Sequence, residues 1–328
     1  MKSYPAEHQI ASQLSLKEFK TISETQMQGL REFSSRLHQW QKRHPILDGF
    51  LTLAPLLILS GVWGVALSLG LHWTLMSLIH GFVAYSWVVY SLHECAGHGV
   101  RNDSLRYWIG QSSRLWMADP EYYREFHLSH HTKLGTNQDG TFTHAVGTVR
   151  LLKSLLPFSG ILFPNDYKVH MGGPKTRSQV LSMRVGLAFV VALSAVVCAT
   201  YESANGFWVT LVFGPWVSFV LDRLRESIEH QLMPQDRTYG AREIGWTFAG
   251  QIVAGGPWGQ PFHFTHHLAP GLPWYLQVIL AGKSRRALLH ADAQHPVLTG
   301  NSAKMLRDFV ENQRKIYRQE RIRNAQAS

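Results

Sequence analysis

Long segments without charged residues set the strongest constraint on this chain. Residues 50–71 contain no Asp, Glu, Lys or Arg, and neither do residues 73–92. A helix of about 20 apolar residues crosses the hydrocarbon core of a bilayer, which is about 30 Å thick. Because His72 alone separates the two segments, we expect them to form a transmembrane hairpin.

A second apolar pair follows a long polar segment. We expect a third span at residues 183–201 and a fourth at residues 207–221, where Pro215 makes the ends of the helix difficult to place. The mean hydropathy of −0.10 conceals these blocks, because it averages them with charged ones. The sequence therefore predicts an all-α membrane protein with four transmembrane helices in two hairpins.

Lys and Arg residues cluster on one side of the predicted spans. They lie before the first span, between the second and third spans, and after the fourth, whereas the two hairpin turns hold none. Because positively charged loops stay in the cytoplasm, we expect both termini and the long loops to be cytoplasmic. The expected division is a cytosolic or interfacial arm at 1–45, a membrane domain at 46–303 and a charged cytosolic tail at 304–328.

Composition argues against several other classes. Cys95 and Cys198 show no Cys-x-x-Cys spacing, which disfavours a disulfide framework and a thiolate zinc site. The net charge of +10 suits nucleic acid, an anionic membrane surface or an acidic partner. The apolar blocks favour the membrane, and we expect no nucleic-acid partner. Two further apolar stretches, 151–163 and 246–258, are expected to be interfacial or re-entrant.

Eight of the 18 histidines lie in three short motifs. In chain order these boxes are His93-Glu-Cys-Ala-Gly-His98, His127-Leu-Ser-His130-His131 and His263-Phe-Thr-His266-His267. All three are predicted to lie on the cytoplasmic side of the membrane, the first at the end of the second span. Since helical positions i, i+3 and i+4 share one face, each His-x-x-His-His box can direct three imidazoles to one small volume.

Eight convergent imidazoles exceed what one metal ion can bind, so the boxes predict two metals. Imidazole suits iron, copper and zinc, and a histidine-rich pair beside a membrane favours iron and oxygen chemistry over hydrolysis. A lone histidine is usually a solvated or packed residue, but a His-x-x-His-His match arises by chance only about 0.05 times in such a chain. Because the first box lacks the His-Glu-x-x-His spacing of zinc proteases, we assign Glu94 a structural or ligand-orienting role.

The order of the boxes and the two hairpins resemble the membrane fatty-acid desaturase and hydroxylase superfamily over most of the chain. The resemblance implies a cytosolic helical cap that holds two irons, with O2 as co-substrate for attack on an unactivated C–H bond of a long acyl chain. Fatty-acyl desaturation is the expected reaction; a hydroxylase, a terminal-alkene-forming decarboxylase and a carotenoid ketolase stay open on the same scaffold. The implied iron ligands are His93, His98, His127, His130, His131, His263, His266 and His267.

The resemblance also suggests a ninth ligand. Members similar to the acyl-CoA desaturases place a further histidine after the fourth span, with an asparagine one turn before it. His230 fits that position, and Glu226 stands where the asparagine would be. A carboxylate there could ligate iron or orient a bound water. The alternatives are a surface histidine at 230 and an ion pair from Glu226 to Arg223 or Arg225.

Other polar and aromatic residues are open to two interpretations. The residues after the second box could orient the histidines or bind a substrate head group, or form a solvated turn: Asn137, Gln138 and Asp139. Three tryptophans could line an acyl tunnel or pack at the interface: Trp63, Trp73 and Trp87.

The chain shows no haem-binding His-Pro-Gly-Gly motif and no cysteine cluster, so we expect electrons from a separate ferredoxin or cytochrome b5-type protein. The basic cytosolic face could dock that donor or an acyl carrier protein, or bind anionic lipid. A metal transporter or sensor is the alternative from another class. A transporter would require a path of ionisable or metal-binding groups across the spans. Within the spans we find His80, whereas the three boxes gather at one face, so this alternative is disfavoured.

Overall fold

A computed structural model of the chain describes residues 20–98, 104–133, 156, 176–201, 203–230, 233–234, 236 and 238–327. These residues are organised as helices, and among them only isolated bridges, such as that between Glu243 and Phe262, have β geometry. Four helices are long and apolar enough to cross a membrane: Pro45–Ser68, Trp73–Cys95, Arg177–Tyr201 and Asn205–His230. The all-α architecture with four candidate spans is therefore confirmed.

The first hairpin is preceded by an amphipathic helix. Helix α1 (Glu24–Arg43) starts with a capping box formed by Ser23 and Gln26. Helix α2 (Pro45–Ser68) begins before the predicted position 50, because Pro45 suits the first helical turn and the charge of Asp48 is buried and paired. Helix α3 (Trp73–Val89) then continues as a π-helical turn over Tyr90–Gly97.

Further helices connect and surround the two hairpins. Helices α4 (Ser104–Ser112) and α5 (Pro120–Lys133) follow the first hairpin. The second hairpin consists of α6 (Arg177–Tyr201) and a helix that starts at Asn205, passes through a π-helical turn at Trp208–Phe213 and continues as α7 (Gly214–His230). Pro215 lies directly after the π-helical turn, where a missing N–H is tolerated at the start of a new α-helical segment.

Helix α7 extends well past the predicted end at residue 221. The charged residues that follow the apolar segment continue the same helix as far as His230. The remaining helices are short or polar: α8 (Phe248–Ala254), α9 (His263–Leu268), α10 (Trp274–Ala291) and α11 (Ser302–Ala327). Within the stretch expected to be interfacial or re-entrant, α8 exposes Phe248 and buries Val253. The stretch 151–163 lies outside the described residues except for Leu156.

A buried polar network fastens the N-terminal helix and the first span to the rest of the protein. The Asp48 carboxylate accepts hydrogen bonds from Arg106 Nη2 at 2.6 Å, from Gln41 Nε2 at 3.2 Å and from the Tyr275 hydroxyl. Arg106 also donates to Thr52 Oγ1 at 3.2 Å. Since a buried charge is tolerated only when it is paired, these contacts fix α1, α2, α4 and α10 relative to one another.

The two hairpins meet where α3 and α7 approach closely through glycine. A Cβ atom added at Gly81 would lie 2.5 Å from Val217 Cβ and 2.6 Å from the Gly214 carbonyl oxygen. On the same face, a Cβ at Gly214 would collide with the His80 ring. Small residues allow this approach in membrane helices, and here they set the distance between the two halves of the protein.

We expect Gly81→Ala to lower the free energy of unfolding by about 1–3 kcal/mol, because the added methyl group must displace packed backbone and side-chain atoms. The midpoint of thermal unfolding in detergent is the measurement. Gly61→Ala is the matched control, since a Cβ at Gly61 meets nothing within 4 Å. Equal midpoints for the two variants would contradict the close contact between α3 and α7.

Candidate metal centre

The first histidine box lies where the second span changes its helical geometry. His93 belongs to the π-helical turn Tyr90–Gly97, and His98 follows it directly. A π-helix is closed by i→i+5 hydrogen bonds, and its wider turn brings residues that are five apart closer to one face than an α-helix does. The widened turn therefore explains how a His-x-x-x-x-His box can direct both imidazoles to one place.

The second and third boxes lie on ordinary helical turns. The second belongs to α5 and the third to the short helix α9, so in each box the three histidines occupy positions i, i+3 and i+4 of a helix. Four of these six side chains are at most 4% exposed: His127, His130, His263 and His266.

Nine imidazoles converge and separate into two groups of nitrogen atoms. In the five-histidine group, successive Nε2 atoms are 2.7 Å apart for His98 and His127, 3.0 Å for His127 and His131, 2.9 Å for His131 and His266, and 3.1 Å for His266 and His93. This group thus combines one histidine pair from the first box with residues of the second and third.

The four-histidine group contains the remaining box residues together with His230. Its Nε2 atoms are 3.1 Å apart for His263 and His230 and 3.2 Å apart for His267 and His263. One ring nitrogen each of His130, His263 and His267 lie within 4.8 Å of one another. The structure thus places the ninth histidine, His230, among the histidines of the second and third boxes.

Each His-x-x-His-His box contributes to both groups. On α5, His130 belongs to the four-histidine group and His131 to the five-histidine group, and α9 is divided in the same way between His263 and His266. The centroids of the His131 and His267 rings, which belong to different groups, are 4.7 Å apart. The two groups are therefore direct neighbours.

The buried imidazoles outside the spans are held in the neutral form. Burial, reinforced by neighbouring histidines, lowers the pKa of His127, His263, His266 and His267 well below 6.5, and burial lowers the pKa of His98 to about 3. A neutral imidazole has a lone pair on one ring nitrogen, which is the form that binds metal.

The spacing of the nitrogen atoms fits metal ions. Metal–imidazole bonds of about 2.1 Å set at right angles place neighbouring nitrogens about 3.0 Å apart, within the observed range of 2.7–3.2 Å. Hydrogen bonds alone cannot satisfy such a set, because a neutral imidazole has one N–H for its two ring nitrogens. Both groups can therefore hold a metal, and imidazole is a suitable ligand for iron.

Contacts to the Nδ1 atoms orient the rings of two histidines. His230 Nδ1 lies 3.1 Å from the Gly240 carbonyl oxygen, which can only accept, so the ring donates there and directs the lone pair of Nε2 into the four-histidine group. His127 Nδ1 lies 3.4 Å from the Tyr123 hydroxyl. Such contacts fix the tautomer and the ring orientation of a metal ligand.

Glu94 connects the first and third boxes. Its carboxylate accepts from the backbone N–H of Trp274 at 2.8 Å, at the N-terminus of α10, and from Gln277 Nε2 at 3.5 Å. The same Gln277 nitrogen lies 3.3 Å from His266 Nδ1. Glu94 therefore caps α10 and holds a glutamine against a histidine of the five-histidine group.

Glu243 plays a similar part for the third box, although no sequence motif marks it. Its carboxylate accepts from the backbone N–H of Thr265 at 3.2 Å, from the Thr265 hydroxyl and from Trp246 Nε1 at 2.9 Å. Thr265 lies in the first turn of α9, which has no side-chain cap of its own. Burial raises the pKa of Glu243 to about 7, although these donors oppose the shift.

The other predicted site residues lie apart from the nitrogen groups or outside the described residues. Glu226 pairs with Arg223 at 3.0 Å, and the structure does not bring its carboxylate into either group. Trp63 donates a hydrogen bond to His80 Nδ1, and Trp87 donates one to Ser112 Oγ. Trp73 packs against Phe213. Asn137, Gln138 and Asp139 lie outside the described residues.

Glu243→Ala should weaken metal retention about 10- to 100-fold, because α9 loses the acceptor that fixes its first turn between His263 and His266. The metal content of purified protein after dialysis against a chelator is the measurement. Glu311→Ala, an exposed carboxylate on α11, is the control. Equal retention in the two variants would show that Glu243 does not position the third box.

Comparison with known proteins agrees with this geometry. A family model described as "Fatty acid desaturase" matches residues 68–296, a range that contains all three boxes. No curated protein and no solved structure matches the chain. Since the family match covers well over half of the sequence, the chain belongs to the fatty acid desaturase family and is an oxidoreductase.

Proposed function

We propose that this membrane protein binds two irons and uses O2 to oxidise an unactivated C–H bond of a long acyl chain, with desaturation as its reaction. The observation that carries the proposal is the division of nine imidazoles into two adjacent groups, each spaced for one metal. The family match supports the acyl substrate.

The chemistry that bound iron supplies is the reduction of O2 coupled to removal of hydrogen from the substrate. In desaturation, two hydrogens of the acyl chain, two external electrons and two protons convert O2 into two waters and leave one carbon–carbon double bond. The protein side chains hold the ligand nitrogens neutral, and Gly240, Gln277 and Tyr123 orient the rings. His93 and His266 are fully buried, which shields this part of the five-histidine group from bulk water.

The placement of the site and its partners extends the proposal. The Lys and Arg distribution favours a cytoplasmic location for both termini and for the metal centre. An acyl chain would then enter from the bilayer, and a separate ferredoxin or cytochrome b5-type donor would dock on the basic cytosolic face. An acyl carrier protein is a further candidate for that face, since it would bring an acidic surface to a basic one.

Metal analysis is the first test. We expect about two irons per purified chain, because two groups of nitrogens each suit one ion. Elemental analysis of protein expressed with adequate iron is the measurement. A chain loaded with zinc, or one without metal, would contradict the proposed function.

The second test identifies the product. Lipids and hydrocarbons of cells expressing the chain should contain a new double bond, whereas a hydroxyl group, a keto-carotenoid or an alkene shorter by one carbon would identify one of the alternative reactions. His130→Ala should abolish the product, because the four-histidine group loses a ligand. His290→Ala, an exposed histidine on α10, should retain it. A product that survives His130→Ala would refute the assigned metal site.

A further inference from the structure

We propose that Glu229 supplies a carboxylate ligand to the metal of the four-histidine group, which makes the two metal sites chemically different. The inference rests on the proposed two-metal function and adds a residue to it. Glu229 directly precedes His230 in the last turn of α7 and is 1% exposed.

The geometry supports direct ligation. A carboxylate oxygen of Glu229 lies within 4.8 Å of a ring nitrogen of His230 and of a ring nitrogen of His263. Two donor atoms on one metal are at most about 4.2 Å apart when each bond is about 2.1 Å long. The observed limit of 4.8 Å is close to that value, so the glutamate oxygen is placed near enough to join the two histidines as a ligand.

One carboxylate oxygen of Glu229 is buried and has no hydrogen-bond donor. Glu229 Oε1 is buried without a hydrogen bond, while Oε2 lies 3.5 Å from Arg225 Nη1. Arg225 is shared, because it also contacts Asp222 at 3.2 Å and Gln260 Oε1 at 3.3 Å. An unsatisfied carboxylate oxygen is costly to bury, and a metal ion beside it would remove that cost.

Charge favours the same assignment. A divalent ion bound by neutral imidazoles keeps its full positive charge in a buried site, and an anionic oxygen ligand offsets part of it. With Glu229, each site has five protein ligands: five nitrogens in one, and four nitrogens with one oxygen in the other. The oxygen-containing site is then the harder of the two and favours the higher oxidation state of iron.

Glu226 provides the contrast within the same helix. It lies one turn before His230, yet its carboxylate is occupied by Arg223 at 3.0 Å and its side chain is 22% exposed. The two glutamates thus differ in partner and burial while sharing charge and local helix, which makes Glu226 a matched control for Glu229.

The test uses the full chain purified in detergent, stripped of metal by a chelator and titrated with Co²⁺, whose visible absorption bands report the ligands. We expect wild type to bind two ions. Glu229→Gln should bind one of them about 10- to 100-fold more weakly and lose one set of bands, because an amide oxygen is a poorer ligand than a carboxylate. Glu226→Gln should match wild type.

The outcomes separate the two proposals. Wild type that binds fewer than two ions would contradict the proposed function and the Glu229 assignment with it. Two ions in wild type together with an unchanged titration of Glu229→Gln would overturn the Glu229 assignment alone. If Glu229→Gln does not fold, infrared difference spectra of Co²⁺ loading on wild type and Glu226→Gln replace it. A shifted carboxylate band is expected in both, and its absence overturns the assignment.

Discussion

Nine imidazole rings packed against one another are stable only if their nitrogens have partners, and hydrogen bonds alone cannot supply all of these partners. The Nε2 atoms approach to within 2.7 Å, in an interior where burial keeps the rings outside the spans neutral. Four separate helix segments must end or turn at this point: the π-helical turn after α3, the helices α5 and α9, and the C-terminus of α7. The fold brings these four segments together at one site.

Buried carboxylates hold these segments in place. Glu94 caps α10 and reaches His266 through Gln277, Glu243 caps α9, and Asp48 fastens the first span to α10 through Tyr275. Each carboxylate accepts from groups on a different helix, so helix position and ring orientation are controlled by the same contacts. The polar interior outside the metal site is thus a supporting framework for it.

Sequence reasoning succeeded where the chemistry repeats locally and failed where it depends on tertiary contacts. Uncharged segments predicted the spans, and the spacing of the boxes predicted helical turns, because both follow from local periodicity. Nothing in the sequence marks Glu243 or Gln277, since their partners lie on other elements. The family resemblance pointed to Glu226, which instead pairs with Arg223. The carboxylate near His230 and His263 is that of Glu229, and only the folded position of the last turn of α7 shows this.

The second and third boxes each supply histidines to both groups, which determines how far apart the two groups lie. His130 and His131 are joined by one peptide bond, and His266 and His267 by another, yet each pair serves different groups. Metal ions held by the two groups would therefore be spaced by neighbouring residues within single helical turns of α5 and α9.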